Sequence, residues 1–258
     1  MSEFRNFVYA LEQKLCGKGI KIVSFESTDS TNANAKAYAA YAADARPVLF
    51  IAKEQSAGRG RLGRDFLSRA DSGIYMTLLY FTREPLCRAV TVTTATAVAA
   101  ANAIRTVAGE QVGIKWVNDI YSDKGKVAGI LVESVAAKGG FAIAVGIGIN
   151  VGASDFPPDL CNIAASLAPL DDGKKAELVA SVCESLLKHA ENPENRDYMV
   201  DYRRLFILQN KTVDIFVSGE HKLRGLAMGV GDDGGLIVSV GGERHVFSSG
   251  EITVRIAE

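Results

Sequence analysis

The pattern of apolar residues changes once along the chain, near Leu208, and this change limits the folds available to it. Before that point, stretches with helical spacing alternate with apolar runs of strand length. After it, five short apolar stretches separated by glycine and Asp-Gly turns follow one another within about 50 residues, a pattern typical of a small β-barrel. The sequence therefore predicts an α+β fold, with a larger domain over residues 1–208 and a small β domain over residues 209–258.

Hydrophobic spacing places the individual elements. In the larger domain it predicts helices over residues 3–15, 31–43, 89–107, 176–190 and 197–206. It predicts strands there over residues 48–52, 73–81, 113–116, 127–135 and 141–149. In the C-terminal domain it predicts strands over residues 213–217, 223–228, 236–240, 244–247 and 252–256.

Composition excludes several classes of protein. Hydrophobic residues make up 48% of the 258, enough for a sizeable core, and the net charge of −1 argues against a general nucleic-acid binder. The four cysteines are far apart and form no CxxC pair, which argues against a zinc knuckle or a disulfide framework. We find no signal peptide and no candidate membrane span, so we expect a cytoplasmic protein. The cysteines are Cys16, Cys87, Cys161 and Cys183.

One eight-residue segment, Ala57-Gly58-Arg59-Gly60-Arg61-Leu62-Gly63-Arg64, combines three glycines with three arginines. Glycine lets backbone N–H groups approach a ligand closely, and the arginine fork fits phosphate or carboxylate oxygens. The segment therefore predicts an anion-binding turn, although a solvated turn with arginines in water is the simpler alternative. We call residues 57–64 the Gly/Arg loop.

The Gly/Arg loop also matches the dinucleotide-binding pattern G-x-G-x-x-G, and Glu84 lies near the position expected for a ribose-binding acid. The context argues against that interpretation, because a Rossmann loop must open a helix whose N-terminus faces the pyrophosphate. Here Asp65-Phe66-Leu67-Ser68 leads into a polar loop and then into another predicted strand.

Three further motifs could carry chemistry. They are Lys115-Trp116-Val117-Asn118-Asp119, Lys124-Gly125-Lys126-Val127-Ala128-Gly129 and Gly146-Ile147-Gly148-Ile149-Asn150. The first motif groups a cation, an amide and a carboxylate. The second places a lysine at the start of a predicted buried strand, where it could meet a phosphate. The glycines of the third predict that a ligand or another element approaches the backbone closely. The simpler alternatives are a core tryptophan with surface charges, a turn lysine and ordinary packing. Metalloprotease, nucleophile-elbow and Walker A motifs are absent from the sequence.

Together with Asp29-Ser30-Thr31-Asn32 and Gln55, these motifs resemble those of the biotin protein ligases. In that family an S-T-N triplet is followed by G-R-G-R-x-G-R, K-W-P-N-D, K-x-A-G-I-L-x-E and G-x-G-x-N. This chain has the same order and spacing, including Lys126-Val127-Ala128-Gly129-Ile130-Leu131-Val132-Glu133, and it ends in a comparable β domain around Ser249-Gly250-Glu251-Ile252. The resemblance implies a mixed-sheet catalytic domain of the biotin/lipoate ligase type with a small C-terminal SH3-like β-barrel.

The chain departs from this pattern in two places. Val117 replaces the usual proline, and this replacement removes no polar group. Asp65-Phe66 stands where the family often has a basic residue and tryptophan. Phe66 can still stack on an adenine, whereas Asp65 puts negative charge near a phosphate site. About 28 residues precede the triplet, and one helix cannot form a helix-turn-helix motif, so we expect a ligase-only form without a DNA-binding domain.

The resemblance implies roles for individual residues. The expected catalytic residues are Arg61, Lys126, Asp119, Lys115 and Arg64. The expected biotin-binding residues are Ser30, Thr31, Asn32, Gln55, Arg59, Gly60, Arg61, Lys126 and Gly129. The expected residues for ATP and the adenylate are Arg59, Arg61, Arg64, Phe66, Asn118, Lys126 and Asn150. The sequence contains no recognisable set of side-chain metal ligands, and Mg²⁺ is expected to bind mainly to the ATP phosphates.

The activity implied by the resemblance has two steps. Biotin is activated by ATP to biotinyl-5′-AMP, and biotin is then transferred to a specific lysine of a biotin carboxyl carrier protein domain. A lipoate or octanoate ligase and a non-catalytic biotin-binding sensor remain as alternatives. We expect no nucleic-acid or membrane partner, and relatives that dimerise leave a homodimer possible.

Overall fold

The computed structural model describes residues 3–83, 89–153, 155–248 and 252–257. Glu84, Cys87 and residues 249–251, which entered the predictions above, lie outside the described residues. The helices are α1 (Glu3–Leu15), α2 (Thr31–Tyr41), α3 (Ala89–Ala103), α4 (Asp172–Glu191) and α5 (Tyr198–Leu205). The strands of the first sheet are β1 (Lys21–Thr28), β2 (Val48–Gln55), β3 (Gly73–Thr82), β4 (Gly113–Lys115), β5 (Asp119–Ser122), β6 (Gly125–Ala137) and β7 (Gly140–Asn150).

This first sheet has seven strands in the order β1-β2-β3-β7-β6-β5-β4. β1 and β2 are parallel, and the other neighbours are antiparallel, so the sheet is mixed as predicted. The parallel pair requires a crossover, which α2 provides. The central strands β3 and β7 are almost wholly buried, since α1, α3 and α4 pack on one face of the sheet and α2 packs on the other.

Helices α1, α3 and α4 pack together beside the sheet. The apolar residues of α1 recur at helical spacing and are buried, as the sequence predicts: Phe4, Phe7, Leu11 and Leu15. Helix α3 is buried on almost all sides, because its alanine and threonine side chains are small and the threonine hydroxyls bond within the helix. Among the described residues, no helix is long and apolar enough to cross a membrane.

Several predicted boundaries were wrong. The α-helix predicted through residue 107 ends at Ala103, and the last turn, Ile104–Ala108, is a π-helix that stops at Gly109 with φ of 72°. α4 begins four residues earlier than predicted, where the Asp171 carboxylate accepts a hydrogen bond from the backbone N–H of Lys174 (2.8 Å).

The prediction missed strands β1 and β5. β1 is an edge strand whose residues are mostly exposed or half-buried, so its apolar pattern is weak. β5 has only four residues and depends on pairing with β4 and β6 for its conformation.

The second sheet contains β8 (Thr212–Val217), β9 (Glu220–Val230), β10 (Leu236–Val240), β11 (Glu243–Phe247) and β12 (Ile252–Ile256). The five strands are antiparallel in the order β11-β10-β9-β8-β12, which confirms the predicted C-terminal β region. Its buried residues belong to the same hydrophobic cluster as those of the first sheet. A domain boundary near Leu208, between α5 and β8, stays a prediction.

Candidate active site

A chain of buried polar side chains lies between the start of α2 and the end of β2. The Gln55 side-chain oxygen accepts hydrogen bonds from the backbone N–H (2.8 Å) and the hydroxyl (3.1 Å) of Thr31. The Gln55 amide nitrogen donates to the Ser68 hydroxyl (2.8 Å), which donates to the Phe66 carbonyl (3.0 Å). Through Gln55, Thr31 of the predicted triplet motif is therefore tied to the segment that follows the Gly/Arg loop.

The same chain continues across the sheet through Asn32. The Thr77 hydroxyl on β3 lies 2.6 Å from the Asn32 side-chain oxygen and 2.8 Å from the Thr31 hydroxyl. On the other side, the Asn32 amide nitrogen donates to a Glu133 carboxylate oxygen (2.9 Å), whose second oxygen accepts from Lys36 (2.6 Å). Asn32 is thus held from both sides.

Glycines in the sheet make room for these side chains. A Cβ built on Gly146 would lie 2.2 Å from the Asn32 side-chain oxygen, and one on Gly148 would lie 2.3 Å from the Phe66 ring. Gly129 pairs with Gly148 across β6 and β7 and also faces the Phe66 ring. The Phe66 ring therefore packs directly against the backbone of Gly129 and Gly148. Only glycine, which has no Cβ, permits the ring to approach the strands this closely.

The Gly/Arg loop folds over the end of the sheet. The Gly60 N–H donates to the Arg64 carbonyl (2.7 Å), and the turn between them contains left-handed residues, Leu62 (φ 59°) and Gly63 (φ 71°). This turn directs Arg61 inward, where its guanidinium donates to the Asn118 side-chain oxygen (3.0 Å). The loop and the Lys115–Asp119 motif, which lie far apart in sequence, meet through this hydrogen bond.

Asp119 and Lys126 form an ion pair next to Asn118. The Lys126 ammonium lies 2.7 Å from Asp119 Oδ1, and the Asn118 amide nitrogen donates to the same oxygen (3.1 Å) and to the Ile130 carbonyl (3.0 Å). Lys126 also lies near the Gly129 position that faces Phe66. The three motifs therefore converge on one side of the sheet.

Electrostatics distinguish the cations of this group. Burial lowers the pKa of the Arg61 guanidinium, an effect that the Asp119 carboxylate opposes. Burial likewise lowers the pKa of Lys115, and the charges of Lys126, Arg255 and Arg64 add to that effect while Asp119 opposes it. Burying several cations close together is unfavourable, so an anion that binds between them lowers the energy of the group.

Other predicted site residues have their direct contacts with neighbouring elements. Lys115 lies over the Tyr121 ring, with its ammonium 5.3 Å from the ring centre. The Arg64 guanidinium donates to the Thr253 hydroxyl on β12 (3.3 Å), so it points toward the C-terminal sheet. The Asn150 amide donates to the Ala165 carbonyl (2.9 Å) and holds the segment that follows β7. Ser30 is the buried N-cap residue of α2.

The Trp116 side chain is a core anchor, as the simpler interpretation of its motif predicted. It is buried, and its indole N–H donates to the Gly234 carbonyl in the C-terminal sheet (2.9 Å). The peptide bond between Trp116 and Val117 is cis.

A separate groove of about 610 Å³ lies beside the turn between β5 and β6. Its lining residues include Glu110, Asp123, Lys124 and Ser166, but none of the predicted site residues. The candidate site is defined by its converging polar groups, which lie apart from this groove.

Comparison with known proteins assigns the chain to a family. A model of the biotin/lipoate A/B protein ligase family matches residues 24–150. The chain is also 30% identical over 235 residues to the biotin–[acetyl-CoA-carboxylase] ligase of Mycobacterium tuberculosis, covering 87% of this chain and 85% of that protein. The chain belongs to the biotin/lipoate A/B protein ligase family. This confirms the resemblance inferred from the motifs.

Longer members of the biotin/lipoate ligase family are also similar. The bifunctional ligase/repressor BirA of Bacillus spizizenii is 33% identical over 212 residues, which cover 78% of this chain but 64% of that protein. The chain thus matches less than two thirds of that relative's length. The fold agrees with the biotin protein ligase of Aquifex aeolicus in complex with biotin and ATP, with a TM-score of 0.75 and 23% identity, over 92% of this chain and 99% of that one.

Four residues that the sequence analysis left without a role take part in the polar chain. They are Lys36, Ser68, Thr77 and Glu133. Glu133 is the last residue of the K-x-A-G-I-L-x-E motif, so the sequence contained a pattern that could have pointed to it. Lys36, Ser68 and Thr77 carry no local signal, since only the packing of α2 and the Ser68 segment against the sheet brings them to the site.

Proposed function

We propose that this protein activates biotin with ATP to biotinyl-5′-AMP and transfers the biotin to a lysine of a biotin carboxyl carrier protein domain. The observation that carries the proposal is the convergence of Arg61 and Lys126 on the Asn118–Asp119 pair. Family membership and the relatives named as biotin ligases support it. The Aquifex enzyme, whose fold this chain shares, was solved with biotin and ATP.

The first step must bring two anions together. A biotin carboxylate oxygen attacks the α-phosphorus of ATP, a new oxygen–phosphorus bond forms, and the bond to the leaving pyrophosphate breaks. Arg61 and Lys126 would offset the repulsion and stabilise the charge that develops at phosphorus, together with the N–H groups of the Gly/Arg loop. We propose Lys115, Arg59 and Arg64 as further sources of positive charge at the edge of this site.

The polar chain would hold the biotin ring. We propose that Ser30, Thr31, Asn32 and Gln55 donate to and accept from the ureido group, with Gly60 and Gly129 close to the ligand. A buried site that pairs each polar atom of a ring rejects analogues lacking one, because a protein group is then left unpaired.

The nucleotide would lie on the other side of Phe66. We propose that the Phe66 ring stacks on the adenine and that Asn118 and Asn150 contribute polar contacts to the nucleotide. No group of three or more potential metal ligands is found among the residues that the structure describes. We therefore propose that Mg²⁺ enters as the ATP complex, held by phosphate oxygens and water.

In the second step the amine of the acceptor lysine attacks the acyl carbon of the adenylate, AMP leaves, and an amide forms. The amine must lose a proton for the bond to form. We propose that Asp119 receives it, since its carboxylate lies at the centre of the cluster, next to Lys126.

A biotin-dependent ATP–pyrophosphate exchange assay tests this function. We expect exchange with biotin and little with lipoate. When all components are present, we expect a carrier domain to gain the mass of one biotinyl group, which is biotin less one water. Exchange with lipoate alone would favour a lipoate-type ligase. Biotin binding without exchange would favour a sensor.

A further inference from the structure

The Tyr202 side chain on α5 is completely buried, and neither step of the proposed reaction uses it. Burial raises the pKa of its hydroxyl well above the ordinary value, and the Asp119 carboxylate adds to that effect while the Arg61 guanidinium opposes it. The hydroxyl therefore keeps its proton and acts as a hydrogen-bond donor. Asp119 and Arg61, whose charges act on it, both belong to the candidate site.

The Tyr202 hydroxyl donates to the backbone carbonyl of Val117 (3.3 Å), which lies 85 residues earlier in the sequence. Residues 116–118 form the turn between β4 and β5, where Lys115 pairs with Asp119. Val117 is fully buried, so its carbonyl needs a donor from the protein, and a carbonyl in a turn has no place in the hydrogen-bond ladder of the sheet. Tyr202 supplies this donor.

The Val117 carbonyl lies in the same rigid peptide plane as the backbone N–H of Asn118. Holding the carbonyl therefore limits the rotation of this plane, and with it the direction in which the Asn118 side chain leaves the backbone. That side chain accepts from Arg61 (3.0 Å) and donates to Asp119 (3.1 Å) and to the Ile130 carbonyl (3.0 Å). A rotation of one peptide plane would thus act on both charged groups together.

Helix α5 is a fixed support for this contact, because it is tied to three neighbouring elements. Asn102 on α3 donates to Asp201 (3.1 Å), and Arg203 donates to a backbone carbonyl on β9 (3.0 Å). Just after the helix, the backbone N–H of Ile207 donates to a carbonyl on β4 (3.0 Å). Tyr202 lies between these contacts in the chain, so its hydroxyl has a defined position against the turn.

We propose that Tyr202 is a positioning residue for the first step of the reaction. By holding the Val117 carbonyl, it keeps the Asn118 side chain aligned with Arg61, which stabilises the charge that develops at phosphorus. This role rests on the proposed function and adds to it a residue of α5 that acts through the turn and not on the ligands directly. The polar chain between α2 and β2 is separate from this turn, so turnover should depend on the Tyr202 hydroxyl more than biotin binding does.

Tyr202→Phe tests the proposal, because it removes one hydroxyl and leaves the ring in the core. The measurement is biotin-dependent ATP–pyrophosphate exchange over a range of biotin concentrations, which separates kcat from KM. We expect kcat to fall about 5- to 50-fold, less than the roughly 100-fold that a misplacement of about 1 Å can cost. We expect KM for biotin to change by less than about twofold, since uniform binding of biotin is retained.

Tyr198→Phe is the matched control. Tyr198 lies one turn earlier on the same helix, and its hydroxyl donates to the Thr91 carbonyl on α3 (3.0 Å). The substitution removes a hydrogen bond of α5 but leaves the Val117 carbonyl held, so kcat should stay at the wild-type value. An equal fall of kcat in both variants would show that only the stability of α5 matters, and it would overturn the proposal.

Asn118→Ala provides a second measurement, because it removes the side chain through which Tyr202 is proposed to act. In this background Tyr202→Phe should lower kcat by less than about a further twofold, since two changes along one route are not additive. Circular dichroism checks that each variant is folded.

The full loss on adding Tyr202→Phe to Asn118→Ala would show an independent effect and overturn the proposal. Wild-type kcat in Tyr202→Phe alone would do the same while leaving the ligase function intact. A wild-type protein without biotin-dependent exchange would overturn the proposed function, and the role of Tyr202 with it.

Discussion

At the scale of single residues, the site depends on glycines that let larger side chains approach the sheet. Gly146 admits the Asn32 amide, and Gly148 admits the Phe66 ring. Neither glycine has a positive φ, so close approach, and not backbone freedom, is the reason for glycine at these positions. The sequence predicted close approach in this strand, but it gave no sign of which side chains would fill the space.

Gly148→Ala is expected to displace Phe66, because the new Cβ would lie 2.3 Å from the ring. We expect a loss of about 1–3 kcal/mol in the free energy of unfolding, measured with urea, as is usual for an overpacked site. The double variant Gly148→Ala/Phe66→Ala removes the clash. A loss of the same size in the Phe66→Ala background would contradict this explanation.

Arg61→Ala is expected to fold but to lose pyrophosphate exchange by about 10²–10³-fold, the range found when one donor to a developing charge is removed. The physical reason is that Arg61 places its charge beside Asn118 and near Lys126. Arg46→Ala, which changes an exposed arginine paired with Asp44, serves as the control. Exchange at the wild-type rate in Arg61→Ala would rule out its role in the first step.

At the scale of elements, strand β6 carries residues from both halves of the site. Gly129, Leu131 and Glu133 share a face because side chains alternate along a strand. Lys126 would fall on the opposite face by alternation alone. A register shift where β6 pairs with β5 adds one residue between Lys126 and Ala128, so that Lys126 faces the Gly129 side. The motif predicted a strand with a lysine at its start, but not the bulge that directs this lysine into the site.

The link between α2 and β6 should be sensitive to acid. Burial raises the pKa of Glu133, but the hydrogen bonds from Lys36 and Asn32 and the charges of Lys36 and Arg59 outweigh this, and the net pKa is lowered. A lowered folded-state pKa contributes stability above the unfolded pKa, and this stability is lost as the pH falls through the folded-state value.

We therefore expect the difference in unfolding free energy between wild type and Glu133→Gln to be constant near neutral pH. It should shrink as the pH falls below the ordinary glutamate value of 4.5. Urea unfolding at a series of pH values measures this difference. A difference that grows on acidification would show that the sign is wrong.

At the scale of the whole molecule, the C-terminal sheet is joined to the rest of the described chain by buried apolar residues and by polar contacts. Trp116 donates to Gly234, and Arg64 of the Gly/Arg loop donates to Thr253 on β12. A strand of the second sheet thus lies within reach of a predicted catalytic loop. The sequence predicted the two regions separately and gave no information on how they pack.

Trp116→Phe should weaken this junction. It removes the indole N–H and leaves the Gly234 carbonyl without that donor, at a cost of about 1–3 kcal/mol in the free energy of unfolding. The measurement is urea unfolding followed by circular dichroism. Trp116→Phe with wild-type stability would show that the hydrogen bond contributes nothing at the junction.

The sequence by itself determined the elements with strong periodicity, the five C-terminal strands, the family and the motifs, because each depends on residues that are close in the chain. The tertiary structure alone decided that Arg61 meets Asn118, that Phe66 lies on Gly148, and that Lys36 and Thr77 join the site. The edge strand β1 and the bulge in β6 also escaped prediction. Their conformations depend on pairing with distant strands, and no local pattern of hydrophobicity records that pairing.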